Sequence, residues 1–300
     1  MAAIWVVSDA KPGHLNQSLG LAEALIRARP DWAVELLPPL AYRDLLRLGL
    51  GRLSSRALPS APPQFILCAG HATHLTTLLL ARHSGAASVV MMRPSLPLRW
   101  FDYALLPRHD QPPRRAALLQ TEGALNRLQP GVKTPRSGTI LLGGPSRHYH
   151  WQQPALLAKI AALVQGDPRQ WVLSGSRRTP PATLEAIAQL NLSNLTLCPL
   201  AAQPAGWLVE QLAHSEQCWV SCDSVSMAYE ALTAGCQTGL LALPPTRANN
   251  RLGRGIDWLR ERGRIAWFDG DRPPRLPPAQ PLAEADRAAA WLLQQLACSP

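Results

Sequence analysis

The sequence predicts an α/β protein whose two halves each fold around a parallel sheet. Short apolar runs such as Ile4–Val7 and Phe65–Ala69 alternate with longer amphipathic stretches such as Leu15–Arg27. Strands that are apolar on both faces are typical of parallel sheets buried beneath helices. A strand, a glycine-containing turn and a helix follow one another from Ile4, and the same order begins again at Ile140. The same architecture is therefore expected twice.

The boundary between the halves is predicted in residues 129–138, a segment rich in proline and glycine. Such a composition is typical of a connection between domains. We therefore expect an N-terminal domain over residues 1–134 and a C-terminal domain over residues 135–300. The last helix, over residues 283–297, is expected to pack back on the N-terminal domain.

The composition excludes several classes of protein. Apolar residues make up 47% of the 300, which is enough to bury a core and excludes a disordered chain. No apolar run reaches the roughly 20 residues that span a bilayer. The first residues lack the basic segment of a signal peptide, so a cytoplasmic protein is expected. None of the six cysteines forms a Cys-x-x-Cys pair, which favours buried thiols over a zinc site or a disulfide framework.

The charge is basic, with 30 basic against 20 acidic residues, and only three of the basic residues are lysine. Arginine suits phosphate and carboxylate ligands, although a GC-rich genome produces the same excess. Residues 1–134 hold 15 basic and 8 acidic residues, so the first half is the more basic. The basic residues are spread out and aromatic residues are only 6%, so nucleic-acid binding is not indicated.

The turn after the first strand is the first candidate site. It contains Asp9, Gly13 and His14, and a helix follows at once. A strand–loop–helix turn presents backbone N–H groups and the positive end of a helix, which suit an anion. His14 is the best candidate for a general base and Asp9 the second, although Asp9 can instead orient the loop. The alternative is an ordinary turn shaped by proline and glycine.

The second candidate is the turn Gly143-Gly144-Pro145-Ser146-Arg147 at the start of the second half. The two glycines are expected to let the backbone approach a phosphate, which Ser146 and Arg147 can bind. The alternative is a turn that only links the domains.

The third candidate follows the strand at Trp171–Leu173. Ser174, Ser176, Arg177 and Arg178 come just after the carboxyl end of that strand, where open α/β sheets bind ligands. Two solvated arginines in a loop are the alternative.

The fourth candidate is the strongest. A strand ends in Asp223-Ser224, and a helix containing Ser226 and Glu230 follows. Asp223, Ser224 or Ser226 can cap this helix, whose first amides suit a diphosphate. Glu230 is four residues after Ser226 and therefore on the same helix face, where it is placed for ribose hydroxyls. The alternative is a capped helix with Glu230 on a solvated face.

These residues resemble two known patterns. Ser226, Glu230, Ala231 and Gly235 resemble the sugar-nucleotide pattern of GT-B glycosyltransferases, which have two Rossmann-like domains facing a cleft. The segment KPGHLNQSLGLAEAL resembles the Gly-His loop and helix of the peptidoglycan N-acetylglucosaminyl transferase.

A closer resemblance covers the chain from about Ile4 to Leu296. The segments KPGHLNQSLGLAEAL, LLGGPSRHY, SGSRRTP, CDSVSMAYEAL and PLAEADRAA occur in the order and spacing of the mitochondrial-fission "elongated mitochondria" family, which has many bacterial members. Two turns depart from that family. Asp9-Ala10-Lys11 stands where an Asp-Gly-basic turn is expected, and Ala69-Gly70-His71 stands where a Gly-basic pair is common.

The resemblance implies a GT-B-like protein that binds a nucleotide-diphosphate sugar as substrate, with no cofactor and no metal. The C-terminal domain would hold the donor and the N-terminal domain an acceptor, either a cell-envelope glycan or a lipid-linked molecule. The alternative is a non-catalytic adaptor, because plant members of the family look like adaptors that recruit a dynamin-related GTPase to mitochondria. An epimerase is not supported, since no Gly-x-Gly-x-x-Gly follows the first strand and no Tyr-x-x-x-Lys is present.

A segment that mixes leucine with arginine, residues 42–56, can lie on an anionic membrane. The protein would then be peripheral to the inner face of the membrane. The alternative is a connecting helix docked on its own core.

Overall fold

The computed structural model describes residues 2–50, 58–247 and 251–298. These residues form two compact units, the first from Met1–Arg127 with Ala283–Pro300 and the second from Leu128–Leu282. The chain thus passes from the first unit to the second at Leu128, whereas the boundary predicted from the sequence lies between residues 134 and 135.

The first unit is built on a six-stranded sheet in which every pair of neighbours is parallel. The strands are β1 (Ala3–Val7), β2 (Ala33–Leu37), β3 (Pro63–Ala69), β4 (Ala87–Met91), β5 (Tyr103–Pro107) and β6 (Leu118–Thr121). Their order is β2-β1-β3-β4-β5-β6, so the direction of winding reverses between β1 and β3. Open α/β sheets bind ligands at such a switch point, outside the carboxyl ends of the strands.

Four helices flank this sheet: α1 (Pro12–Ala28), α2 (Tyr42–Gly49), α3 (His74–Ser84) and, from the end of the chain, α9 (Glu284–Cys298). Helix α1 starts at Pro12, whose missing N–H costs nothing at the first helical position. Its buried Leu21 and Leu25 share a core with Ala288 and Leu292 of α9. The expected packing of the last helix on the N-terminal domain is therefore confirmed.

The second unit repeats this architecture around another parallel sheet. Its strands are β7 (Thr134–Leu142), β8 (Gln170–Gly175), β9 (Leu195–Leu197), β10 (Ser215–Ser221), β11 (Gln237–Leu241) and β12 (Ala266–Phe268). Its helices are α4 (Gln153–Gln165), α5 (Pro181–Ala188), α6 (Trp207–His214), α7 (Val225–Thr233) and α8 (Arg251–Glu261). The strand order β12-β11-β10-β7-β8-β9 is the Rossmann order, with its switch point between β7 and β10.

Two buried tryptophans lie flat on this second sheet because glycines stand beside them. Trp171 pairs in register with Gly138, and Trp219 pairs with Gly239. A Cβ atom at either glycine would collide with the neighbouring indole ring. The large rings therefore fill the core between strand and helix without spreading the layers.

Strand β12 and helix α6 are not among the predicted elements. Strand β12 has three residues at the sheet edge, which is too short for a periodic pattern to show. Helix α6 follows Gly206 and buries Leu212 alone, so its apolar face is narrow. Among the described residues, no helix is long and apolar enough to cross a membrane.

The cysteines are free, and four of the six, Cys68, Cys218, Cys222 and Cys236, are buried. Burial raises the pKa of Cys68 to about 11 and that of Cys222 to about 12. Burial also raises the pKa of Cys236 to about 11, against the opposing effect of Lys133. The thiolate is the reactive form, so these thiols are expected to be inert near neutral pH.

Titration with a disulfide reagent at pH 8 checks this expectation. In the native protein Cys298, which is exposed, should react first and the partly buried Cys198 more slowly, whereas denaturant should release all six thiols. The variant Cys298→Ser should lack the fast phase. Rapid reaction of a third thiol in the native state would contradict the burial described here.

Candidate functional site

The switch point of the second unit brings three of the predicted turns together. The turn after β7, the turn after β8 and the turn after β10 all lie at the carboxyl edge of the sheet, because parallel strands end on the same side. The side chain of Asp223, which follows β10, is completely buried among them.

Asp223 ties the three turns together through its carboxylate. It accepts hydrogen bonds from the Gly144 N–H at 2.9 Å and from the Ser221 hydroxyl at 2.7 Å. It also pairs with the Arg178 guanidinium at 2.8 Å. The Ser221 hydroxyl in turn accepts a hydrogen bond from the Gly143 N–H at 2.7 Å. A buried carboxylate needs such partners, since an unpaired one would be costly.

Gly143 and Gly144 are glycines because the turns approach closely. A Cβ at Gly143 would overlap the Asp223 carboxylate, and one at Gly144 would overlap the Arg178 carbonyl. Both amide N–H groups already bind side chains of the same unit. These glycines therefore hold the turns together, and a phosphate at this edge would need other donors.

The turn after β8 locks onto the same glycines. The Ser176 hydroxyl donates to the Gly143 carbonyl at 2.7 Å, and Arg178 donates to the Gly144 carbonyl at 3.0 Å. Ser174 does not join them, because its buried hydroxyl lies against Gln203 and the Gly175 carbonyl. Arg177 is exposed.

Helix α7 starts beside this cluster with Ser224 as its N-cap residue. No described side chain caps the helix, so the expected capping by Asp223, Ser224 or Ser226 is wrong. The carboxylate of Asp223 is drawn instead to Gly144, Ser221 and Arg178. Ser226 is exposed in the first turn, and Glu230 follows one turn later, half-buried on the same face.

The turn after β7 continues into two further predicted residues. The Ser146 hydroxyl accepts hydrogen bonds from the N–H groups of His148 and Tyr149, both at 3.2 Å. Ser146 thus shapes its own turn. Arg147 is exposed, with its Nε against the His148 ring at 3.1 Å.

The first unit places a different group at its own switch point. The Nδ1 atom of His14 lies 3.0 and 3.1 Å from the two carboxylate oxygens of Asp9. Burial raises the pKa of Asp9, but hydrogen bonds from the His14 ring and from the Lys11 N–H outweigh it, so the pKa lies below its usual 3.8. An ionised Asp9 fixes the tautomer of His14 with Nδ1 protonated, which leaves Nε2 as the basic nitrogen.

Two backbone features hold this pair in place. Gly70, which follows β3, has a φ of +91°, and a Cβ there would collide with the His14 ring. Ala10 has a φ of +59°, in the left-handed region that glycine prefers. Gly13 in the first turn of α1 has open space around it. The His14 side chain is 21% exposed, so it remains reachable from solvent.

A buried histidine extends this group and was not predicted from the sequence. His74 is 2% exposed, lies 3.2 Å from the Ser95 hydroxyl and packs edge-on against Phe101. Burial lowers its pKa, and the nearby His71 and His14 lower it further. The imidazole of His74 is therefore neutral near pH 7.

An Asp-x-Asp sequence, Asp269-Gly270-Asp271, lies just after β12, so the expected absence of such a motif, which favoured a metal-independent protein, is wrong. These residues and Lys159 of α4 line a cavity of about 500 Å³ at the carboxyl ends of β11 and β12. The Lys159 ammonium lies 3.3 Å from Asp269 and donates to the Ala242 carbonyl at 2.8 Å. One of the two carboxylates therefore already has a cationic partner from the chain.

The chain is similar to one known family and to a bacterial protein. Residues 12–296 match the model of a family described as Mitochondrial fission ELM1. An uncharacterized protein of Rickettsia prowazekii is 27% identical over 121 residues, which cover 36% of this chain and 32% of that protein. The alignment thus spans about a third of that relative's length.

Three solved structures resemble almost the whole chain. A UDP-GlcNAc 2-epimerase from Methanocaldococcus jannaschii is 11% identical, with a TM-score of 0.56 over 98% of this chain and 99% of that one. MnaA of S. aureus with UDP is 12% identical, with a TM-score of 0.51 over 98% and 88%. The E. coli heptosyltransferase WaaC with ADP is 10% identical, with a TM-score of 0.50 over 97% and 99%. At these identities the likeness shows the fold alone, which is the GT-B fold of two Rossmann-like domains.

Replacing Asp223 by alanine should destabilise the second unit by about 3 kcal/mol, because buried N–H and hydroxyl groups lose their acceptor and Arg178 loses its partner. Urea unfolding measures this change. The exposed Ser226→Ala should stay within about 0.5 kcal/mol of the wild type. Equal stability of Asp223→Ala and the wild type would contradict the role assigned to this carboxylate.

Proposed function

The chain belongs to the mitochondrial fission ELM1 family, and from this membership and its two switch points we propose that it is a glycosyltransferase. Its second unit binds a nucleotide-diphosphate sugar. Its first unit binds the acceptor, a cell-envelope glycan or a lipid-linked molecule. The nucleotide sugar is a substrate, and neither a cofactor nor a metal takes part.

The start of α7 at the switch point carries this proposal. Its first turn has no side-chain cap among the described residues, and the positive end of a helix attracts a diphosphate. The exposed Ser226 hydroxyl adds a donor within the same turn. The carboxylate of Glu230, one turn further on, is positioned to accept hydrogen bonds from ribose hydroxyls.

Arginines at the same edge supply the positive charge that a departing diphosphate needs. Arg147 and Arg177 are exposed there, and Arg178 keeps part of its guanidinium in solvent while it pairs with Asp223. Guanidinium groups bind phosphate oxygens through paired hydrogen bonds. Such fixed donors stabilise the charge that develops on the leaving group.

His14 acts as the general base on the acceptor. Its Nε2 takes the proton of an acceptor hydroxyl while that oxygen bonds to the anomeric carbon and the bond from this carbon to the diphosphate breaks. Asp9 holds the ring through Nδ1 and stabilises the imidazolium that forms. Gly70 leaves the space that the ring occupies.

A non-catalytic adaptor on the same fold is the second candidate. One observation favours it. The sequence suggests Gly143 and Gly144 for phosphate binding, but their amide N–H groups donate to Ser221 and Asp223 instead. In an adaptor the turns of the second unit would be retained for their stability alone.

Calorimetric titration with UDP, GDP, ADP and CMP sugars tests the donor site. The sugar nucleotide of one of these four bases should bind with a micromolar Kd. Glu230→Ala should weaken its binding at least 10-fold, equivalent to about 1.4 kcal/mol, because the contacts with the ribose are lost. Glu210→Ala, which removes an exposed glutamate from α6, is the matched control and should bind like the wild type. If none of these compounds binds, the donor site is refuted and the adaptor becomes the better account.

Turnover of the bound nucleotide sugar separates the enzyme from the adaptor. His14→Asn should lower kcat by about 10²- to 10⁴-fold, because the general base is lost. The affinity for the donor should be unchanged, because its contacts lie in the second unit. Asp9→Asn should lower kcat as well, through loss of the correct tautomer. A chain that binds the donor tightly but turns over no acceptor, or a His14→Asn variant of full activity, would contradict this mechanism.

A further inference from the structure

Helix α2 presents an apolar face that its own unit does not cover. Tyr42 and Leu46 in the helix and Leu50, the residue that follows its last turn, are spaced four residues apart and are 77%, 51% and 68% exposed. The only buried residue of α2 is Leu48, which packs against the first unit. We call Tyr42, Leu46 and Leu50 the α2 stripe.

Part of the exposed apolar surface of the described residues lies on α2 and at the start of α3. Nine large apolar side chains are exposed among all the described residues, and three of the nine form the stripe. Leu75, also exposed, lies in the first turn of α3, on which α2 packs. The turn before α2 is attached to that part of α3, because the Leu40 N–H donates to the Thr76 hydroxyl at 3.0 Å. Exposed apolar side chains that lie together in this way are typical of an interaction surface rather than of scattered exposed residues.

Two arginines border the stripe. Arg43 and Arg47 follow Tyr42 and Leu46 by one residue each, so they lie at the edge of the apolar face. Both are largely exposed, and both share the carboxylate of Asp44, at 3.7 and 3.3 Å. Exposed ion pairs of this kind are weak. Because the helix has two arginines and only one carboxylate, its net charge is positive. The guanidinium groups can therefore exchange Asp44 for phosphate groups outside the protein.

We propose that the α2 stripe docks this protein on an anionic membrane surface. Leucine and tyrosine on one face with arginine at its border match a helix that lies in the plane of the headgroups. The apolar side chains enter the acyl boundary, and Arg43 and Arg47 bind lipid phosphates. The excess of basic residues in the first 134 positions has the sign that an anionic surface attracts. The remainder of the leucine- and arginine-rich segment, residues 51–56, lies outside the described residues.

Vesicle flotation tests this proposal on the whole protein without any nucleotide sugar, so its result does not depend on the proposed transferase activity. The protein should float with vesicles that contain phosphatidylglycerol and not with phosphatidylcholine alone, and high salt should weaken the binding. Tyr42→Ser with Leu46→Ser should lower the vesicle partition coefficient at least 10-fold, because two apolar side chains no longer enter the lipid. Arg43→Gln with Arg47→Gln should remove the preference for anionic lipid.

The matched control is Leu200→Ser with Val209→Ser, which removes two exposed apolar side chains from the second unit and should float like the wild type. Thermal melts should be alike for all variants, because every changed side chain is exposed. Three results would each overturn the proposal: no flotation with anionic vesicles, flotation that ignores lipid charge, or flotation that the α2 variants retain. A dimer in light scattering that the Tyr42→Ser, Leu46→Ser variant loses would assign the stripe to a second copy of the chain instead.

Discussion

The buried carboxylate of Asp223 holds the functional edge of the second unit together. A full negative charge without solvent is tolerated only when donors surround it, and here the donors come from two turns and a strand. The turn after β7 contributes an amide, β10 a hydroxyl and the turn after β8 a guanidinium. The loops thus become a rigid platform, and the start of α7 and the exposed arginines are displayed from it.

In the first unit a smaller group, the pair of Asp9 and His14, lies at the switch point. Asp9 holds one imidazole, and Gly70 supplies the space for its ring. In both units an aspartate that follows a central strand organises the switch point. In the second unit the Asp223 carboxylate binds groups that hold the turns together. In the first unit Asp9 binds Nδ1 of His14, which leaves Nε2 of that ring as the reactive nitrogen. In the proposed function, the second unit therefore binds the nucleotide sugar and the first unit transfers the proton.

The paired glycines show how one motif can support two interpretations. Gly143-Gly144 after a strand resembles a phosphate-binding turn, yet the space that a Cβ would need is filled by Asp223 and Arg178. The glycines are therefore required by close packing of the turns. If a donor diphosphate binds here, the N-terminal turn of α7 and the arginines must hold it. Binding would then depend more on charge, and less on backbone amides, than binding by a glycine-rich loop does.

The sequence by itself determined the parallel sheets, their repetition in two units and the turns at which we propose that the chemistry takes place. Burial on both strand faces leaves a local apolar pattern, and turn residues must follow a strand in the chain. Only the tertiary structure decided which turns meet, because strand order is not local: Gly144 and Asp223 are 79 residues apart and become neighbours when β10 pairs with β7. Tertiary structure decided three further features in the same way. Asp223 pairs with Arg178 instead of capping α7, and Lys159 pairs with Asp269. The α2 stripe is left exposed. Each of these features depends on partners that are distant in the sequence, which a local periodic pattern does not reveal. The type of a residue limits what it can bind, but only the folded chain decides which partners lie near it.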